Sequence, residues 1–147
     1  MADGIQIRLA ALDDRPALVP LLEQLGYPSA PFEVQEWLMV ILRHPDYSTW
    51  VAEQGERIVG LAGARIGYTY ERNGCYGQLM VLVVDAGFRR SGVGTALVRA
   101  VEEWTRKQGG VAVLLNSSKY RKEAHRFYER LGYTATGLRF VKELQPD

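Results

Sequence analysis

Arg89-Arg90-Ser91-Gly92-Val93-Gly94 is the stretch on which the fold turns. An apolar run, Leu79 to Val84, leads into it, and a helix-like stretch, Thr95 to Gln108, leads out. The order is strand, basic glycine-bearing loop, helix. Two glycines two apart remove the Cβ atoms that hold a ligand away from the backbone. The first turn of a helix carries N–H groups with no internal partner and a partial positive charge. Together these make a site for a phosphate or pyrophosphate group. The competing reading of the same six residues is a tight strand-to-helix turn with solvated arginines.

The flanking sequence sets this loop in a larger pattern. Ile5, Ile7 and Leu9 alternate with polar residues as a short strand. Asp13 or Asp14 is expected to cap a helix whose apolar face is Leu18, Val19, Leu21, Leu22 and Leu25, ending at Gly26. A second helix is expected from about Phe32 to Arg43, stopping before Pro45. Ser48–Glu53 and Arg57–Tyr68 read as a hairpin about Gln54-Gly55-Glu56. Gly60, Gly63 and Gly67 in its second arm mark bulges or close approaches. Tyr76–Val84 is the strand before the loop.

Downstream, Val93, Leu97, Ala100, Val101 and Trp104 form the inner face of the loop's helix. Val111–Leu115 reads as a buried strand. A last helix over Glu123–Arg130 presents Ala124, Phe127, Tyr128 and Leu131. Tyr133–Thr136 and Leu138–Leu144 are expected to close the sheet as two further strands. The predicted order is βααβββαβαββ. The class is α/β (α+β), with a mixed, mostly antiparallel central sheet flanked by helices.

Composition narrows the function. At 147 residues the chain fits one domain, 1–147, with a hydrophobic core. Lys and Arg total 18 against 17 Asp and Glu, so no strong net charge draws the chain to nucleic acid or membrane. The single cysteine, Cys75, excludes an internal disulfide and fits a reducing, cytoplasmic setting. His44 and His125 are the only histidines, and neither has metal-ligand spacing, so no metal is expected. No signal peptide is read at the N-terminus, and no apolar stretch approaches the ~20 residues of a bilayer span.

The order and these residues resemble the GNAT superfamily of acyl-CoA-dependent N-acyltransferases. That family's cofactor motif is Gln or Arg, two residues, Gly, one residue, then Gly or Ala; Arg89, Gly92 and Gly94 match it. Leu82-Val83-Val84-Asp85 resembles the end of its cofactor strand. His125-Arg126-Phe127-Tyr128-Glu129-Arg130-Leu131-Gly132-Tyr133 resembles its tyrosine-bearing helix. The likeness runs from about Ile5 to Leu144. Within the superfamily, Glu123–Tyr128 and Arg139–Leu144 look most like the small-molecule aminoalkylphosphonate N-acetyltransferases.

The resemblance implies a GNAT fold, acetyl-CoA as co-substrate and a small-molecule amine as acceptor. It implies no nucleic acid or membrane partner, and it is compatible with a homodimer. The backbone of Arg90–Thr95 would hold the CoA pyrophosphate, with charge from Arg89 and Arg90 and hydroxyls from Ser91 and Thr95. The backbone of Leu82, Val83 and Val84 would pair with the pantetheine amides. Tyr128 would protonate the leaving thiolate; the alternative is a core tyrosine. Many members have asparagine seven residues before the tyrosine, where this chain has Arg121. Asn116, with Ser117 or Ser118, is a substitute for that CoA contact, and Arg121 with Lys119 and Lys122 suits an anion or plain solvent. Trp37, Trp50, Tyr68, Tyr70 and Tyr76 are expected in part around the acceptor pocket.

One feature departs from the family. An alkylamine of pKa near 10.4 is only about 0.04% neutral at pH 7, a penalty of roughly 4–5 kcal/mol. Many members remove that proton with a glutamate on the strand before the loop. Here those positions are Met80 and Val81. Asp85 lies at the loop entrance, and Glu33, Glu36, Glu71 and His44 are candidates by region. The missing carboxylate keeps a second reading open, a non-catalytic acyl-CoA-binding module. A peptide or protein N-acetyltransferase and an unrelated nucleotide-phosphate binder are further alternatives.

Overall fold

The structure, a computed structural model, describes residues 4–146. It resolves into two compact units, one ending at Leu115 and the other beginning at Asn116. The first unit holds strands β1 (Ile5–Leu9), β2 (Tyr47–Gln54), β3 (Arg57–Tyr68), β4 (Cys75–Val84) and β5 (Gly110–Leu115). It also holds helices α1 (Arg15–Leu25), α2 (Pro31–Arg43) and α3 (Val93–Lys107). The second unit contains α4 (Lys122–Arg130).

The sheet runs β1-β2-β3-β4-β5, antiparallel except for the parallel β4–β5 pair. Side chains alternate across it. Val51, Leu61 and Val83 turn to one face and bury Leu18, Leu21 and Leu22 of α1 with Val34 and Leu38 of α2. The other face receives α3, whose Val93, Leu97, Val98 and Val101 are fully buried. Gly60 makes that contact possible, because a Cβ there would lie 3.0 Å from Leu97 and 3.1 Å from Val93. Trp104 of α3 meets Trp50 of β2 edge-on, with ring centroids 5.4 Å apart. Thr105 replaces Ala100 on the inner face; its hydroxyl donates to the Val101 carbonyl, which lets it be buried.

Three expectations need correction. Tyr133–Thr136 and Leu138–Leu144 form no strand among the described residues. Their alternation supplies strand propensity, but a strand needs a neighbouring ladder, and Leu138, Phe140 and Leu144 stay exposed. β5 is not a buried central strand: it pairs only with β4, and Val111 and Leu114 are exposed. Asp14 does not cap α1 with its side chain. Instead it accepts from the Ala11 N–H at 2.8 Å and from Arg8 Nη1 and Nη2 at 2.9 and 2.8 Å. Arg8, which also reaches Glu53, holds the Asp14 carboxyl below its ordinary range. Among the described residues no helix is long and apolar enough to cross a membrane.

Candidate functional site

β4 is paired with β5 only as far as Leu79, which faces Leu115. Beyond that point Val81–Val84 keep β3 on one side and have no ladder partner on the other among the described residues. The separation coincides with a bulge. Gly63 faces Val81 and Ala64 faces Leu79, so Met80 is an extra residue with no partner across the pair. Its side chain is 54% exposed. The result is an open backbone edge along Leu82, Val83 and Val84.

The edge leads straight into the glycine loop. Ala86–Phe88 make one 3-10 turn, and Gly92 forms the N-cap of α3 with φ 90°, the left-handed region that glycine tolerates. No side chain caps this helix end and no acidic residue sits in its first turn. The first-turn amides of α3 therefore remain available to an anion. Arg89 and Arg90 are exposed on the loop, and Arg90 also has a positive φ of 67°. The Ser91 hydroxyl is not turned to a ligand: it donates to the Phe88 carbonyl and braces the turn.

Two residues that sequence reasoning passed over fix this turn. Gln24, at the end of α1, donates to Asp85 Oδ1 at 2.7 Å and accepts from the Ala86 N–H at 2.9 Å. Arg57 pairs with Asp85 Oδ2 at 2.8 Å and lies over the Phe88 ring. Asp85 is thus a structural anchor rather than a base. Gln24 and Asp85 are 61 residues apart, so no local pattern could reveal them.

On the α1/α2 face of the sheet, a cavity of about 330 Å³ opens between α2, β2, β3 and β4. Trp37, Ile41, Tyr47, Leu61, Met80 and Val81 supply much of its wall. Of the expected aromatics only Trp37 lines it; Trp50 is in the core, Tyr68 and Tyr70 are exposed, and Tyr76 packs over Gly67. His44 also lines it, but its Nδ1 accepts from the Asp46 N–H at 3.1 Å. That hydrogen bond occupies the Nδ1 lone pair. Glu33 accepts from the Ala30 N–H at the start of α2, and neither Glu36 nor Glu71 lines this cavity.

The second unit carries the remaining expected residues. Tyr128 lies on the half-buried face of α4, its ring 5.1 Å from Phe127 and 5.9 Å from Tyr133. Burial raises its phenol pKa, and Arg121 partly opposes this. Arg121 is the N-cap of α4 and is exposed, as is Asn116. Ser117 has a buried hydroxyl with no hydrogen-bond partner among the described residues. Among those residues no cluster of three His, Cys, Asp or Glu side chains could hold a metal ion.

Residues 8–133 match the model of the acetyltransferase (GNAT) family, and the chain belongs to that family. It is 25% identical over 140 residues to the aminoalkylphosphonate N-acetyltransferase of Salmonella typhimurium, covering 95% of this chain and 91% of that one. It is 36% identical over 91 residues to human N-acetyltransferase 8, covering 62% of this chain and 40% of the human protein. The chain thus spans well under half the length of that relative. A GNAT family acetyltransferase of Staphylococcus aureus superposes with a TM-score of 0.83 at 28% identity, over 96% of this chain and 99% of that one.

Replacing Gln24 by Ala tests the brace on the loop. Losing these exposed hydrogen bonds is expected to cost less than about 1 kcal/mol of stability. Amide exchange at Ala86–Phe88 should quicken severalfold while the melting temperature barely moves. Unchanged exchange at Ala86 would remove Gln24 from this role.

Proposed function

We propose that the chain transfers an acetyl group from acetyl-CoA to the primary amine of a small molecule, with residues 1–147 acting as one N-acetyltransferase domain. The observation that carries this reading is the continuous path from the unpaired edge of β4 to the uncapped start of α3. An open strand edge suits an extended amide-bearing arm, and a helix start suits a pyrophosphate. Their order along the chain suits the two parts of CoA. Family membership and the likeness to the Salmonella enzyme support the same conclusion.

In this reading Leu82, Val83 and Val84 bind pantetheine amides through their backbone. Arg89, Arg90, Ser91, Gly92, Val93, Gly94 and Thr95 hold the pyrophosphate, mainly through backbone N–H groups. Asn116 and Arg121 add polar and cationic contacts, and Ser117 offers its orphaned hydroxyl. Acetyl-CoA supplies the activated acyl carbonyl. The chain contributes alignment and backbone donors where negative charge develops. Tyr128 is the proton donor to the departing sulfur. Its raised pKa keeps the hydroxyl protonated through the neutral range, at the cost of weaker acidity.

The cavity has no lining carboxylate, which favours one other reading, an acyl-CoA-binding module without turnover. Thiol release from acetyl-CoA across an amine panel separates the two. Release with at least one amine supports transfer; binding without release up to about pH 9 supports the module.

Two substitutions probe the assignment. Gly92→Asp should weaken acetyl-CoA binding at least about tenfold by placing negative charge at the helix start. Gly92→Asn carries the same backbone strain without the charge, so equal affinities for the two variants would contradict the loop assignment. Tyr128→Phe should lower kcat by about 10–100-fold with the acetyl-CoA Kd nearly unchanged. Wild-type kcat would remove Tyr128 from the chemistry.

A further inference from the structure

The cavity beside α2 bears on which amine is accepted. Its 330 Å³ is small for a ligand site and leaves room for about one ring-sized arm. Its wall is apolar apart from Ser48, Thr49, the Tyr47 hydroxyl and His44, and no Asp or Glu lines it. The Nδ1 of His44 is already engaged by the Asp46 N–H. The adjoining surface of α2 carries one acidic and one basic residue, Glu36 and Arg43.

An ammonium entering this cavity gives up its water and meets no anion. Such a site disfavours the charged form of an amine. The neutral fraction at pH 7 is about 0.04% for an alkylamine but roughly 10–17% for an α-amino group of a peptide, a ratio of roughly 200–400. The absent carboxylate is then a statement about the acceptor rather than a defect of the enzyme. With a weakly basic amine, no protein base is needed to create the nucleophile.

Building on the transferase reading above, we propose that the acceptor is a weakly basic amine on an apolar or aromatic arm, bound as its free base in the cavity lined by Trp37 and Val81. An α-amino group next to an amide or ester carbonyl, carried on an apolar side chain, has this chemistry. In the transfer the N–C bond forms as the C–S bond of the thioester breaks, and the proton lost by nitrogen ends on the thiol.

Thiol release from acetyl-CoA by the full chain tests this with phenylalaninamide, phenethylamine and spermidine, from about pH 6.5 to 9.5. The first two share an arm, but the neighbouring carbonyl makes the first less basic. Near pH 7 phenylalaninamide should show at least a tenfold higher kcat/KM than phenethylamine, with the gap narrowing as pH rises; spermidine should be poorest. Quenching of tryptophan fluorescence by phenylalaninamide, without acetyl-CoA, should strengthen with pH and vanish in Trp37→Phe. Met80→Glu puts a carboxylate on the exposed bulge and should raise phenethylamine turnover near pH 7 about tenfold or more. Equal or reversed preference between the two aromatic amines, or amine binding insensitive to pH, overturns this inference and leaves the transferase reading standing. Acetyl-CoA binding with no thiol release from any acceptor overturns the transferase reading itself.

Discussion

Backbone amides must find partners, and β4 reaches a point where one side of its ladder stops. Past Leu79 the strand has β3 alone, and its other edge is left to whatever extended chain can pair with it. Much of the site follows from that one constraint. The bulge at Met80 occurs at the same place and turns an extra residue out of the pairing. α3 begins just beyond the end of β4, so the amides of its first turn stand near the amides of the open edge. Gln24, Arg57 and Asp85 then hold the intervening turn in one conformation.

The sequence made part of this legible for plain reasons. An apolar strand, a glycine pair and a helix with a continuous inner face are local patterns, and each formed where its residues predict. Local patterns fail where partners decide. Leu138–Leu144 alternates like a strand and has no ladder; Val111–Leu115 is apolar throughout and yet is an edge. The Met80 bulge left its trace on the facing strand, where Gly63 marks it, while the extra residue itself changes no composition. Asp14 and Asp85 illustrate the same limit: each is held by an arginine on another element, Arg8 six residues away and Arg57 twenty-eight, and neither side chain does what its neighbours in sequence suggest.

The cavity beside α2 is the part that was least legible. It draws on α2, β2, β3 and β4, and only Trp37 of the five expected aromatics lines it. No carboxylate lines it among the described residues. In the proposed transferase reading, that lack and the apolar wall together favour an amine that arrives without its proton. In that reading the two halves of the site rest on different physics: hydrogen bonding and helix charge at the open edge and helix start, desolvation in the cavity.

Hydrogen exchange with and without acetyl-CoA tests the central claim most directly, because it reads individual amides. Binding at the open edge and helix start predicts slowed exchange at Leu82–Val84 and at Gly92–Thr95, with β1 and β2 unaffected. Bound acetyl-CoA that leaves both segments unprotected would contradict the account.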